Sequence, residues 1–284
     1  QSVTVTEQVA STITLAGTDP DGSTPTVYKI ISLPSNGTLS DNGAVISLGD
    51  LPKTTNSANV VYTSNSDTAT SDSFTFKVND GTVDSVAATV SIAITAVNDA
   101  PVATAQTDVA ATEQTEVTLT LVGTDADSDT LSYVISTLPT SGTLSDNGTV
   151  ITAADLPKTT TSADVVYVST SDTATSDSFT FKVNDGTVDS VAATISIAIT
   201  AVNDAPVTNA QTVTTIEDIS LDVTLSGSDV DGDAISYTIV DNPTNGTVSL
   251  TDNKATYVPS AGYFGSDSFT FKVNDGTVDS EKGT

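Results

Sequence analysis

The chain has 284 residues, with 36 acids against eight lysines, no arginine and a net charge of −28. That balance excludes nucleic-acid binding, which needs clustered Lys and Arg against phosphate, and disfavours anionic lipid surfaces and direct membrane insertion. With no Cys and no His, disulfides, thiol chemistry and the usual zinc, iron and copper sites are absent, so any metal chemistry is the oxygen-ligand chemistry of calcium or magnesium.

From the N-terminus the chain alternates apolar residues with Thr and Ser. Residues 12–16 (TITLA) carry the period-two pattern of a half-buried strand, as do residues 74–78 (FTFKV), with Phe74, Phe76 and Val78 on one side, and residues 90–94 (VSIAI). Asn36-Gly37, Asn42-Gly43, Asn147-Gly148 and Asn245-Gly246 read as hairpin dipeptides. Asn79-Asp80-Gly81 punctuates the two best strands, and no segment has helical periodicity. About seven strands in about 100 residues predict a two-sheet, antiparallel, immunoglobulin-like sandwich. Strands of about ten residues, at roughly 3.4 Å each, would make a domain about 35–45 Å long.

The same pattern then returns. Residues 66–98 recur as 171–203 with one difference, Val90 against Ile195, and SDSFTFKVNDGTVDS appears at 71–85, 176–190 and 266–280. The AVNDAP segments at 96–101 and 201–206 set a period of 105 residues, enough for each unit to bury its own core. The sequence therefore predicts three tandem sandwiches in an elongated array: 1–98, 99–203 and 204–284. The third lacks the Leu51-Pro52-Lys53 insert, carries Tyr263-Phe264-Gly265 instead, and has no counterpart of residues 86–96. Its closing strand is either cut off or supplied by another copy across the open edge. No apolar run spans a bilayer and no signal peptide is visible at Gln1, which reads as a fragment of something longer.

Three acidic features recur in fixed order. Glu7, Glu113 and Glu217 each precede an aspartate cluster by 12 residues: Asp19-x-Asp21, Asp125-x-Asp127-x-Asp129 and Asp229-x-Asp231-x-Asp233. Asn98-Asp99 and Asn203-Asp204 stand before Ala-Pro in the linkers. Short oxygen ligands at alternate turn positions suit a hard cation, yet no EF-hand loop is present: its positions six and twelve, counted from Asp229, are Ala234 and Val240. Asp80, Asp185 and Asp275 read as turn formers. Lys77, Lys182 and Lys272 alternate with inward phenylalanines and read as outward, against a Lys–Asn cross-link.

Glu, then Asp-x-Asp, then Asp-Ser-Phe-Thr-Phe, then Asn-Asp-Ala-Pro resembles the cadherin-like tandem repeats of large bacterial surface adhesins. The resemblance implies Ca2+ at the inter-domain junctions. It implies a first site from Glu7, Asp72, Asn98, Asp99, Asp125 and Asp127, and a second from Glu113, Asp177, Asn203, Asp204, Asp229 and Asp231. Asp19 and Asp21 would serve a preceding domain, and Glu217 and Asp267 a following one. The linker lacks the second Asn of the animal pattern, and Asp72 and Asp177 stand in for an Asp-Arg-Glu triplet that is absent. The implied function is a calcium-rigidified extender of an extracellular bacterial adhesin, in cell adhesion or biofilm, with calcium and neighbouring repeats as partners. A strand-exchanged fibre and a carbohydrate- or protein-binding module are the alternatives. An enzyme is not expected, because the acids sit on duplicated turns with no nucleophile–base pair beside them.

Overall fold

The structure, a computed structural model, describes residues 1–19, 22 and 25–284; Asp21 of the expected ligands lies outside them. Among the described residues every regular element is a strand, apart from 3-10 turns at Leu48–Asp50 and Ala153–Asp155. The chain divides into two compact units, 1–104 with 122–134 and 182–193, and 105–121 with 135–181 and 194–284.

The first unit contains a complete sandwich. Its strands are β1 (Ser2–Thr6), β2 (Ser11–Thr14), β3 (Val27–Ser32), β4 (Gly37–Asp41), β5 (Ala44–Val45), β6 (Lys53–Thr54), β7 (Asn59–Ser64), β8 (Ser71–Asn79) and β9 (Ala88–Thr95). They form two sheets, β1-β9-β8-β3-β6 and β2-β7-β4-β5. Seven of the nine have four or more residues, but the longest is nine and most are four to six, shorter than the ten expected. The alternation closes the space between the sheets as predicted: Ile13, Leu15, Phe74, Phe76, Val90, Ile92 and Ile94 are buried in one cluster with Val60 and Tyr62.

One pairing departs from the all-antiparallel expectation. β1 runs parallel to β9, Ser2 opposite Ser91 through Thr6 opposite Thr95. When first and last strands run the same way, the chain enters a sandwich at one end and leaves it at the other. The pair therefore delivers Glu7, the residue after β1, beside the outgoing linker, where its N–H donates to Thr95 O at 3.1 Å. Period-two patterning says which face a residue takes, and nothing about strand direction.

The same design repeats. The strands are β10 (Val102–Thr104), β11 (Gln106–Thr112), β12 (Val117–Thr120), β13 (Val122–Thr124), β14 (Ser132–Thr137), β15 (Gly142–Asp146), β16 (Thr149–Val150), β17 (Lys158–Thr159), β18 (Asp164–Ser169), β19 (Ser176–Asn184) and β20 (Ala193–Thr200). The sheets are β11-β20-β19-β14-β17 and β12-β18-β15-β16, with β10 paired to β13, and β11 is again parallel to β20.

The last repeat has β21 (Val207–Asn209), β22 (Leu221–Thr224), β23 (Ser226–Ser228), β24 (Ser236–Asp241), β25 (Gly246–Thr251), β26 (Lys254–Pro259) and β27 (Thr270–Asn274). Its sheets are smaller: β22-β26-β25, β24-β27 and β21-β23. Gly283 pairs with Phe271 as Ala88 pairs with Phe76, and Gln211 N–H donates to Thr284 O at 3.0 Å. Beyond that rung a groove of about 590 Å³ runs between residues 211–217 and 264–271, lined by Leu221, Leu225, Phe269 and Phe271. Ile216 and Phe264 are exposed beside it.

The Asn-Gly pairs serve two purposes. Asn42-Gly43 and Asn147-Gly148 have both residues in the left-handed region and close two-residue hairpins, as expected. Gly37 and Gly246 instead begin strands, as does Gly142 after Ser141, and a Cβ there would lie 2.4–2.5 Å from the rings of Tyr62, Tyr167 and Tyr257. Glycine is needed because a buried ring crosses the backbone. Gly142→Ala should therefore cost about 1–3 kcal/mol, read as a lowered urea midpoint, whereas Gly49→Ala, with open space around it, should leave the midpoint unchanged.

Candidate metal centre

The end of the first sandwich is built from three segments of one unit. Val97 N–H donates to Glu7 Oε1 at 2.8 Å, which holds the linker to the side chain that follows β1. Asp99 N–H donates to Asp127 Oδ2 at 2.7 Å, and Asn98 Nδ2 donates to Asp185 Oδ2 at 2.8 Å. Carboxylate oxygens of Glu7, Asp99 and Asp127 come within 4.8 Å of one another, as do those of Asp125, Asp127 and Asp129. Glu7 is only 2% exposed, yet its Oε2 has no hydrogen-bond partner, nor do the buried Asp125 Oδ2 and Asp127 Oδ1.

The second unit repeats this bond for bond. Val202 N–H donates to Glu113 Oε2 at 2.9 Å, Asp204 N–H to Asp231 Oδ2 at 2.8 Å, and Asn203 Nδ2 to Asp275 Oδ2 at 2.8 Å. Glu113, Asp172 and Asp204 lie within 4.8 Å of one another. Asp229 Oδ2 and Asp231 Oδ1 are again buried without a partner. Like charges about 4 Å apart repel by about 4 kcal/mol at an effective dielectric near 20. A buried carboxylate oxygen without a donor adds its own desolvation cost. A hard divalent cation, which takes six to eight oxygen ligands, removes both costs, and every donor at these two places is an oxygen.

The expected residues do not all assemble. Glu7, Asp99, Asp125 and Asp127 come together, with Asn98 alongside, as do Glu113 and Asp204, with Asp231 tied to the linker. Asp72 is employed elsewhere. Its carboxylate accepts from Ser35 N–H, Asn36 N–H, Ser73 N–H and the Tyr62 hydroxyl, at 2.8–2.9 Å. Asp177 and Asp267 make the same bonds with Tyr167 and Tyr257. These three aspartates anchor the turn before the glycine strand that the tyrosine covers. Burial pushes the Asp72 carboxyl up, but its four donors outweigh that and hold it below the usual carboxylate range. The Asp19 carbonyl accepts from Gly22 N–H, and Glu217 is exposed.

Residues 98–198 and 203–284 match the bacterial Ig domain family, and residues 2–94 match a cadherin-like family. The chain belongs to the bacterial Ig-domain family. Integrin beta-like protein A of Dictyostelium discoideum is 31% identical over 254 residues, 84% of this chain but only 13% of that protein's length. Mouse cadherin-23 repeats EC22-24 share the fold at 19% identity, with a TM-score of 0.61 over 99% of this chain and 93% of that one. Protocadherin gamma B2 domains 1-5 do so at 12% identity, with a TM-score of 0.55 over 99% and 58%. The chain is thus a set of cadherin-like, immunoglobulin-like tandem repeats, and neither matched family is an enzyme family.

Within these bacterial Ig domains the sequence reading missed Asp67 and Asp172, which stand five residues before Asp72 and Asp177. Asp172 joins the Glu113 cluster, and Asp67 accepts from Gln8 Nε2, which also donates to Asp99. The only signal was their place in the copied segment, which marks Asp72 equally. Asp185 and Asp275 are more than turn formers, since each receives a linker Asn. That bond, foremost, holds the Asp185 carboxyl below its ordinary value. The lysines stay out of the core: none is buried, and Lys182 meets Asp189 at 3.5 Å on the surface.

Because the folded Asp72 carboxyl titrates below its unfolded value, its contribution is complete above about pH 4 and is lost as pH falls through the lower folded value. The urea midpoint of the native chain should fall as pH drops below about 4. Asp72→Asn should start from a lower midpoint at pH 7 and lose part of that acid dependence.

Proposed function

We propose that this segment is a calcium-binding spacer of an extracellular surface protein, an extender of a bacterial adhesin whose repeats are stiffened by ions at the linkers. The observation that carries this reading is the set of buried, partnerless oxygens on Glu7, Asp125, Asp127, Asp229 and Asp231. The Asp125 and Asp127 orphans recur at Asp229 and Asp231, and at both linkers an Asp backbone N–H is tied to an Asp-x-Asp carboxylate. Glu7, Asp99, Asp125 and Asp127 would hold one ion, with Asn98 beside them; Glu113, Asp204, Asp229 and Asp231, with Asn203, would hold its counterpart. The ion supplies charge neutralisation, and the chain orients the carboxylates through backbone donors. The cadherin-like family match and the net charge of −28 support a calcium-rich, extracellular setting. Among the described residues no helix is long and apolar enough to cross a membrane.

Ion binding to the folded state adds stability by mass action, about 2.7 kcal/mol at a hundredfold excess over Kd. The melting temperature should therefore rise with calcium and fall with chelator. Asp127→Asn with Asp231→Asn should abolish most of that difference and, by removing part of the carboxylate repulsion, raise the chelated melt. Small-angle scattering should show a longer maximum dimension and less flexibility in millimolar calcium. A melt indifferent to chelator sinks the proposal.

A further inference from the structure

Gln8 and Gln114 occupy the same position, directly after the buried glutamate, and both lie in the left-handed region with φ of 56° and 54°. That conformation is unfavourable for a residue with a Cβ, so something holds each side chain there. Gln8 Nε2 donates to Asp67 Oδ1 at 2.7 Å and to Asp99 Oδ2 at 3.3 Å. Gln114 Nε2 lies 3.2 Å from Asp172 Oδ1 and 3.4 Å from both Glu113 Oε1 and Asp204 Oδ2. Carboxylates are acceptors only, so the amide end facing them must be its NH2, whose two hydrogens carry partial positive charge. A neutral donor thus sits between two carboxylates at the first linker and among three at the second, where Glu113, Asp172 and Asp204 lie within 4.8 Å of one another.

The last repeat acts as an internal control. Asp218 stands at the glutamine position with φ of 60°, and Gly262 stands where Asp67 and Asp172 stand. The two positions still meet, now with polarity reversed: Gly262 N–H donates to Asp218 Oδ1 at 2.8 Å. Where the outer aspartate is gone, the glutamine is gone with it.

We propose that the Gln8 and Gln114 amides are built-in substitutes for a cation. Each bridges the outer aspartate (Asp67 or Asp172) to the linker aspartate, keeps these acids together in the absence of metal, and closes that position to a further divalent ion. The inference rests on the reading that the inner acids bind calcium. It adds that the outer acids are served by the chain itself, which limits the ion count at each linker.

The test is calcium titration calorimetry on the full chain, with melts in chelator and in millimolar calcium. Gln8→Ala with Gln114→Ala should bind two more ions per chain than wild type. It should melt lower than wild type in chelator, and the gap should close in calcium as an ion takes the place of each amide. Gln8→Gly with Gln114→Gly relieves the backbone conformation and guards against a folding defect; it should show the same two additional ions. An unchanged ion count in both pairs, or an equal melting gap with and without calcium, overturns the proposal. Wild type binding no ion would instead overturn the calcium reading, and two ions gained by the variants from that baseline would still support the amide substitution.

Discussion

The arrangement depends on one backbone constraint, the parallel pairing of the first strand with the last. β1 beside β9 and β11 beside β20 place the end of the incoming strand at the end of the outgoing one. Glu7 and Glu113 thereby become neighbours of their own linkers at sequence separations of about 90 residues. An antiparallel edge strand would carry that glutamate to the opposite end of the sandwich. The acids gathered at each linker follow from strand direction first and from side-chain chemistry second.

Electrostatics then divides the acids into two kinds. Asp72, Asp177 and Asp267 spend their oxygens on backbone N–H groups and a tyrosine hydroxyl, and so behave as parts of the fold. Glu7, Asp125, Asp127, Asp229 and Asp231 keep a buried oxygen without a donor. A carboxylate that accepts four hydrogen bonds has little left for an ion, while one with an orphaned oxygen carries a desolvation cost that only a cation or a donor relieves. The glutamine amides show the donor solution in the same neighbourhood. Lys29, Lys182, Lys254, Lys272 and Lys282 pair with aspartates near the surface and contribute little.

The copied segments illustrate how far a sequence carries. The alternation in residues 74–78 and 90–94 was enough to place Phe74, Phe76, Val90 and Ile92 inward, because period two is a property of the strand itself. Recurrence and order marked Glu7, Asp99, Asp125 and Asp127 singly, and only the resemblance to cadherin-like repeats grouped them at one linker. Asp67 and Asp72 were not separable, since both lie in the same duplicated stretch and differ only in which way their side chains point after folding. Gln8 and Gln114 carried no signal, because a single neutral residue in a turn looks like any surface glutamine.

By itself the sequence determined a tandem, all-β, strongly acidic chain limited to oxygen-ligand chemistry, since composition, periodicity and self-similarity are local or additive properties. Tertiary structure alone decided that the first and last strands run parallel and that Gly37, Gly142 and Gly246 make room for a tyrosine ring. It also decided which aspartate braces a turn and which faces a linker. Those are relations between residues far apart in the chain, and hydrogen bonds with a partner 90 residues away leave no mark on local pattern.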